Sequence, residues 1–238
     1  MVIEKLSDAD EKVRAAACEA LGRLKCNAAV YSSLSERTVR QLGERCRDRK
    51  VHVRKQATMA LGLLYEQAYN DILTNNPIAT QIFGGIPEMV LSLVYTNNPE
   101  VLSNAHIALG NHVFAPNAAK DDYQRALRLV FVLTSVSERA KIAFGGLMKL
   151  QVEVDRELLV YLQYSEKYDP NITSESNDAV GQRLQAIIQR LAERFPEPVR
   201  YSNYFTQLAS YKDEALTRGL RTCITPSSDF RVIRKAQA

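Results

Sequence analysis

The chain has 238 residues, 46% apolar and 24% charged, with 10 Gly, 8 Pro, 4 Cys and a formal net charge of +4 at pH 7. That apolar content suffices for a sizeable core, so few turn residues exclude an all-β chain, and no window approaches the ~18 consecutive apolar residues of a membrane-spanning helix. Cys18, Cys26, Cys46 and Cys223 show no CxxC spacing and no charged-then-apolar leader precedes them, so a reducing, intracellular compartment is expected and the Asn171-Ile172-Thr173 sequon is expected to stay unglycosylated.

Apolar periodicity and breakers predict helices over 10–26, 33–47 and 50–70, and the third of these repeats the first. Asp8, Val13, Arg14, Ala17, Leu21, Gly22 and Leu24 recur, forty positions on, as Asp48, Val53, Arg54, Ala57, Leu61, Gly62 and Leu64. The Asp is placed to cap the second helix of a pair, the apolar residues share its inner face, and the Arg can reach an acid or carbonyl of the neighbouring repeat. This is the pattern of a HEAT-type helical repeat, whose helix pairs bury their apolar faces only against the next pair. Chains of this kind present long surfaces to other macromolecules and rarely carry out chemistry.

Asn75-Asn76-Pro77 reads as a loop, and Ile86-Pro87 opens a helix over 86–96 that is followed by one over 99–114. Val101, Ala105, Leu109 and Gly110 keep the spacing of Val53, Ala57, Leu61 and Gly62, but the offset is now 48 and Leu102 occupies the Arg position. Past about residue 115 the register is lost. Helices are predicted over 121–135 and 137–165, with Phe144, Leu147, Gln151, Val154, Leu158 and Tyr161 on one face of the second and Gly145-Gly146 as a point of bending. A loop over 169–177, a helix over 178–194, the break Phe195-Pro196-Glu197-Pro198, and helices over 199–210, 212–223 and 228–236 complete the chain. Asp229, Val232, Ile233 and Arg234 look like the opening of another second helix, and neither end carries a polar cap. The expected architecture is therefore an all-α HEAT-repeat solenoid, irregular after about residue 115, with residues 1–238 as one continuous segment of a longer protein.

Charge is unevenly placed. Arg37, Arg40, Arg45, Arg47, Arg49, Lys50, Arg54 and Lys55 stand against Glu44 and Asp48, a local balance of +6 that exceeds that of the whole chain. Arg45, Arg47, Arg49, Lys50 and Lys55 are the candidate polyanion-binding residues, for a phosphate-rich small molecule, an acidic peptide or a nucleic-acid backbone. The competing reading is a solvated helix end and turn, with Arg54 held in the internal ladder. A second basic group comprises Arg218, Arg221, Arg231, Arg234 and Lys235.

No catalytic constellation is found. His106 and His112 are spaced to point about 120° apart on a helix, without HExxH or nearby Cys, so no metal site is assigned. GxxxxGK[ST], GxGxxG and GxSxG do not occur, Asp121-Asp122 suits a helix start, and the cysteines read as small apolar fillers. The 11 Tyr, against 7 Phe and no Trp, suit seams between repeats and partner-binding surfaces.

Four blocks, in order, carry a family resemblance: Arg47-Asp48-Arg49-Lys50 through Val53-Arg54-Lys55-Gln56-Ala57 to Leu61-Gly62-Leu63-Leu64-Tyr65; Ile86-Pro87 with Leu91-Ser92-Leu93-Val94-Tyr95-Thr96-Asn97-Asn98; Glu138-Arg139-Ala140-Lys141 with Ala143-Phe144; and Phe195-Pro196-Glu197-Pro198. From about Leu34 onward the chain resembles the central part of the precocious-dissociation-of-sisters family of HEAT-repeat cohesin regulators, sister chromatid cohesion proteins, and most of all its fungal members. The resemblance implies a non-enzymatic, nuclear, chromatin-associated scaffold that binds the kleisin subunit of cohesin and governs maintenance and release of sister chromatid cohesion. It implies the wings-apart-like releasing factor and the cohesin acetyltransferase as further partners, chromatin reached through cohesin, no membrane, and an inositol polyphosphate as a ligand for the basic surface. The alternative is another HEAT-repeat adaptor, a nuclear transport receptor or a condensin-like subunit that binds DNA phosphates directly.

Overall fold

The computed structural model describes residues 2–25, 28–114 and 122–225, and among these there is no strand. The helix expected over 228–236, with Arg231, Arg234 and Lys235, lies outside the described residues, as do Cys26 and Asp121. Twelve α-helices are described: α1 Glu11–Gly22, α2 Ala28–Ser33, α3 Glu36–Arg45, α4 Val51–Leu73, α5 Pro77–Phe83, α6 Ile86–Leu91, α7 Pro99–Ala108, α8 Asp122–Ser135, α9 Glu138–Lys167, α10 Glu175–Ala192, α11 Pro198–Tyr211 and α12 Glu214–Ile224. Short 3-10 helices cover Glu4–Ser7 and Ser92–Tyr95, and a π-helical turn covers Leu109–Phe114. The architecture is an all-α HEAT-repeat fold, built as two compact units, Met1–Leu147 and Met148–Ala238, with the division inside α9.

Asn75 and Asn76 form the expected break, Asn75 with positive φ, but an unexpected helix, α5, begins at once at Pro77. Asn76 Oδ1 accepts from the backbone N–H of Ile78 (3.1 Å) and Ala79 (3.2 Å), and Pro77 occupies the first turn, where its missing N–H has no partner to lose. Helix α2 was also missed, because six residues give no full apolar period. The expected helix over 86–96 tightens to 3-10 geometry after Leu91, and that over 99–114 widens to a π turn after Ala108. Helix α10 starts before the expected position, since Ser174 Oγ accepts from Asn177 N–H (3.2 Å) and so caps it. Helix α9 runs through Gly145-Gly146.

In unit 1, α4 is central: α1 packs on one side of it and α7 on another, and Leu42, Val53, Ala57, Leu61, Leu64, Phe83, Ile86, Val90 and Ala105 are buried in a common core. The apolar stretch Pro77–Tyr95 is long enough to cross a bilayer by composition alone, yet it folds as three short helices with Ala79, Phe83, Ile86, Val90, Leu91 and Leu93 in that core. Burying each such Leu, Ile or Phe contributes about 2 kcal/mol. In unit 2 a smaller core of Tyr161, Leu162, Leu184, Ile187, Ile188, Leu191 and Ala209 is sealed by Tyr161 Oη donating to the Phe205 carbonyl (2.7 Å). Its loop over 169–177 is organised by Asn177, whose amide donates to the carbonyls of Asp169 (2.8 Å) and Ile172 (2.6 Å) and accepts from Asp169 N–H (3.0 Å). At the corner after α11, Lys212 has positive φ and its ammonium donates to the carbonyls of Ser165 (2.6 Å) and Tyr168 at the end of α9.

Candidate interaction surface

The two stretches related by the forty-residue shift form adjacent layers, and their arginines occupy equivalent places. Arg14 and Asp48 make a bidentate pair, Nε to Oδ2 at 2.9 Å and Nη2 to Oδ1 at 3.0 Å, with side chains only 6% and 4% exposed. Arg14 Nη1 also donates to the carbonyls of Asp8 (2.8 Å) and Ala9 (3.1 Å). Forty residues on, Arg54 Nη1 donates to the carbonyls of Asp48 (2.9 Å) and Arg49 (3.2 Å), while its Nη2 meets the Glu100 carboxylate. Each guanidinium thus closes its own repeat's turn and reaches an acid of the next repeat.

Asp8 and Asp48 differ from the expectation of a helix cap. The N-cap residues are Asp10 and Lys50, and the two earlier aspartates accept from exactly those N–H groups, Asp10 N to Asp8 Oδ1 and Lys50 N to Asp48 Oδ1, each at 3.0 Å. They shape the turn ahead of the helix, and Asp48 Oδ1 is shared between the Lys50 N–H and Arg14 while Oδ2 also accepts from Arg14. Burial alone would raise the Asp48 carboxyl, but Arg14, the Lys50 N–H and Arg45 outweigh it and hold it below the ordinary carboxylate range.

Leu21, Val53 and Leu61 are buried, whereas Val13 is only half-buried. Val53 lies in the core, whereas Val13 lines a shallow apolar groove with Val2, Ala16 and Ala20. The layers approach closely at Gly22, where a Cβ would stand 2.9 Å from Ala60 Cα; at Gly62 it would stand 3.1 Å from the His112 side chain.

Most of the basic cluster is engaged within the protein. Arg45 Nη1 lies 3.4 Å from Asp48 Oδ2, Lys50 Nζ 2.6 Å from Glu11 Oε2, and Arg40 pairs with Glu36 at 2.5 Å. Arg47 is exposed and its Nη2 donates to Ser92 Oγ (3.0 Å), while Arg49 and Lys55 are exposed. A shallow cleft of about 500 Å³ gathers Arg45, Arg47 and Arg49 beside Arg14, Asp8, Glu44 and Asp48; Lys50 and Lys55 do not line it. Five residues that the sequence grouped by charge are thereby divided: Arg45 is held by the nearby Asp48, Lys50 by Glu11 of the preceding repeat, and Arg47, Arg49 and Lys55 stay exposed.

Other polar groups gave no sequence signal. Arg128 of α8 is buried, donates from Nε to the Val113 carbonyl (2.7 Å) and from Nη2 to the His112 carbonyl (2.6 Å), and lies 3.8 Å over the Tyr69 ring. It satisfies carbonyls that the π turn leaves open, and burial pushes its pKa down. His112 Nδ1 is 2.6 Å from Glu66 Oε2, and no metal-binding group of His, Cys, Asp or Glu occurs among the described residues. Cys18 and Cys46 are buried in the core, and burial pushes their thiols up to about 12 and about 11. That makes them unreactive fillers at neutral pH.

A family described as "Sister chromatid cohesion protein PDS5 protein" matches residues 1–238. The chain is 25% identical over 236 residues to the sister chromatid cohesion protein pds5 of Schizosaccharomyces pombe, covering 99% of this chain and 19% of that relative's length. It is also similar in fold to a chain in a solved structure of the Pds5-Scc1 complex, with a TM-score of 0.81 at 18% identity, covering 99% of this chain and 35% of that one. Matched from end to end, the chain belongs to the PDS5 family of sister chromatid cohesion proteins.

Proposed function

We propose that this segment is part of a non-enzymatic, cohesin-associated scaffold that binds the kleisin subunit and regulates maintenance and release of sister chromatid cohesion. The observation that carries the reading is the family match over residues 1–238, together with a fold shared with a Pds5 chain solved with Scc1. The architecture supports it: stacked helix pairs offer a long, preorganised surface for capturing a peptide. A nuclear, chromatin-associated location belongs to the same reading, as do the wings-apart-like releasing factor and the cohesin acetyltransferase as further partners. A compact inositol polyphosphate on the basic cluster receives less support, because Arg45, Lys50 and Arg54 are paired with Asp48, Glu11 and Glu100.

Calorimetry of the whole protein that contains this segment, titrated with peptides from the kleisin N-terminal region near physiological salt, tests the proposal. Saturable binding without turnover of any substrate is the expected result. Failure of the whole protein to bind any kleisin peptide would overturn it.

A further inference from the structure

The turns that lead into successive layers of unit 1 follow one another along a common edge, and side chains tie each to the next. Lys50 of the turn between α3 and α4 pairs with Glu11 at the start of α1, and Arg47 of the same turn donates to Ser92 Oγ at 3.0 Å. Tyr95, which follows Ser92 in the next turn, donates from Oη to the Arg139 carbonyl (2.8 Å) at the start of α9. Beside it, Glu88 accepts from Ser137 N–H (2.9 Å) and Oγ–H (2.6 Å).

Arg47, Arg49, Tyr95 and Arg139 remain exposed on this edge, Tyr95 at 46%, and the Arg139 guanidinium lies 4.8 Å over the Tyr95 ring. The acids nearby have cationic or hydroxyl partners: Asp8 with Lys5 (2.9 Å), Asp48 with Arg14 (2.9 Å), Glu138 with Lys141 (2.6 Å), Glu88 with Ser137 and Glu44 with Arg45 (3.7 Å). What faces outward without an acid partner among the described residues is therefore Arg47, Arg49 and Arg139 around one aromatic ring, beside the exposed Glu44 and Glu138, whose carboxylates are each paired with a neighbouring cation. Arginine and tyrosine are the residue types that most often dominate binding energy at interfaces, and neighbouring helical layers stand about 10 Å apart. Two layers from Arg47 to Arg139 then span roughly 20 Å, the reach of about six extended residues.

We propose that this edge is a docking track for an extended, acidic segment of a partner protein, with carboxylates against Arg47, Arg49 and Arg139 and an apolar side chain against Tyr95. The inference deepens the reading of the chain as a peptide-capturing scaffold, and it does not depend on which protein supplies the segment. A compact anion would engage the Arg47 and Arg49 turn without needing Tyr95 or Arg139, which separates the two kinds of ligand.

The test is fluorescence anisotropy with a labelled Glu- and Asp-rich octapeptide carrying one central Phe, alongside inositol hexakisphosphate and kleisin peptides. Arg47→Glu with Arg49→Glu is expected to weaken octapeptide binding by about tenfold or more, Arg139→Glu by about fivefold and Tyr95→Ala by about threefold. Arg37→Glu with Arg40→Glu makes the same charge change on the first half of α3 and is expected to stay within about twofold. Equal losses in the two double variants, an unaffected Arg139→Glu, or no octapeptide binding by the parent would each overturn the track. If the octapeptide binds the parent and the edge variants alike while kleisin peptides bind, the track fails and the scaffold function stands. If only the octapeptide binds, the track stands and the kleisin assignment fails.

Discussion

The two arginine seams of unit 1 start from the same sequence pattern and end with different energetics. At the α1–α4 seam Arg14 forks onto both oxygens of a carboxylate that is itself buried, and Gly22 lets the helix backbones nearly touch. At the α4–α7 seam Arg54 meets Glu100 through one nitrogen, its buried Nε has no partner among the described residues, and Gly62 faces the His112 side chain. The stretched offset of 48 is the cause. The position equivalent to Asp48 becomes Thr96, so the acid comes instead from the first turn of α7, at a different angle. The first two repeats thus share their guanidinium, whereas the quality of each ion pair depends on where the next repeat places its acid.

The largest expected effect is at the tighter seam. Asp48→Ala leaves the Arg14 charge buried without its carboxylate and should cost about 3 to 5 kcal/mol, whereas Glu100→Ala, at a more exposed and singly bonded pair, should cost about 1 to 2. Urea titrations of both variants check this, and equal losses would show that the fork adds nothing over a single contact. Leu61→Ala comes next at about 2 to 5 kcal/mol, because Leu61 is fully buried in the middle of α4 and its neighbours can close the cavity only in part.

Glycine offers a sharper version of the comparison, since the repeat places one at each seam. Gly22→Ala should destabilise by about 1 to 3 kcal/mol, because the new methyl meets the backbone of Ala60 and a whole helix must move. Gly62→Ala should cost less than Gly22→Ala, since the new methyl meets the His112 side chain at 3.1 Å rather than a helix backbone at 2.9 Å, and alanine favours the helix by about 1 kcal/mol. Thermal denaturation that ranked Gly62→Ala as the worse of the two would reverse the order of seam tightness.

The smallest effect is in the acid limb. Asp48 has its carboxyl pKa depressed in the folded chain, so its contribution is complete above the unfolded value of about 3.9 and is lost as pH falls through the folded value. A melting-temperature series from neutral pH down to about pH 3 should fall less steeply in Asp48→Asn than in the parent. Parallel curves would assign the acid sensitivity to other carboxylates.

Unit 2 shows what a chain without a repeat must do instead. Its core is small, α12 has no fully buried residue, and single-use contacts hold its parts: Lys212 on the carbonyls ending α9, Arg221 on Glu166 at 2.6 Å, and Asn177 across its loop. None of these could be foreseen: Lys212 and Arg221 depend on partners 47 and 55 residues away, and the Asn177 loop, though local, has no equivalent elsewhere in the sequence.

Much was nonetheless legible. The helical class, the forty-residue pairing of α1 with α4, and the weaker echo in α7 followed from apolar spacing, which survives because every repeat must bury the same face. Helix α5 escaped because Asn76 and Pro77 signal a helix start as readily as a turn. The basic cluster was legible as composition but not as a surface.

By itself, then, the sequence determined which residues turn inward and that Arg14 and Arg54 stand in equivalent positions, since both are properties of local periodicity. Only the tertiary structure decided that Asp48 is divided between its own turn and Arg14, that Lys50 is neutralised by Glu11 while Arg47 and Arg49 stay exposed, and that Tyr95 and Arg139 join them on one edge. Charges are summed along a chain but screened and paired through space, and the partners that decide the outcome come from the neighbouring layer.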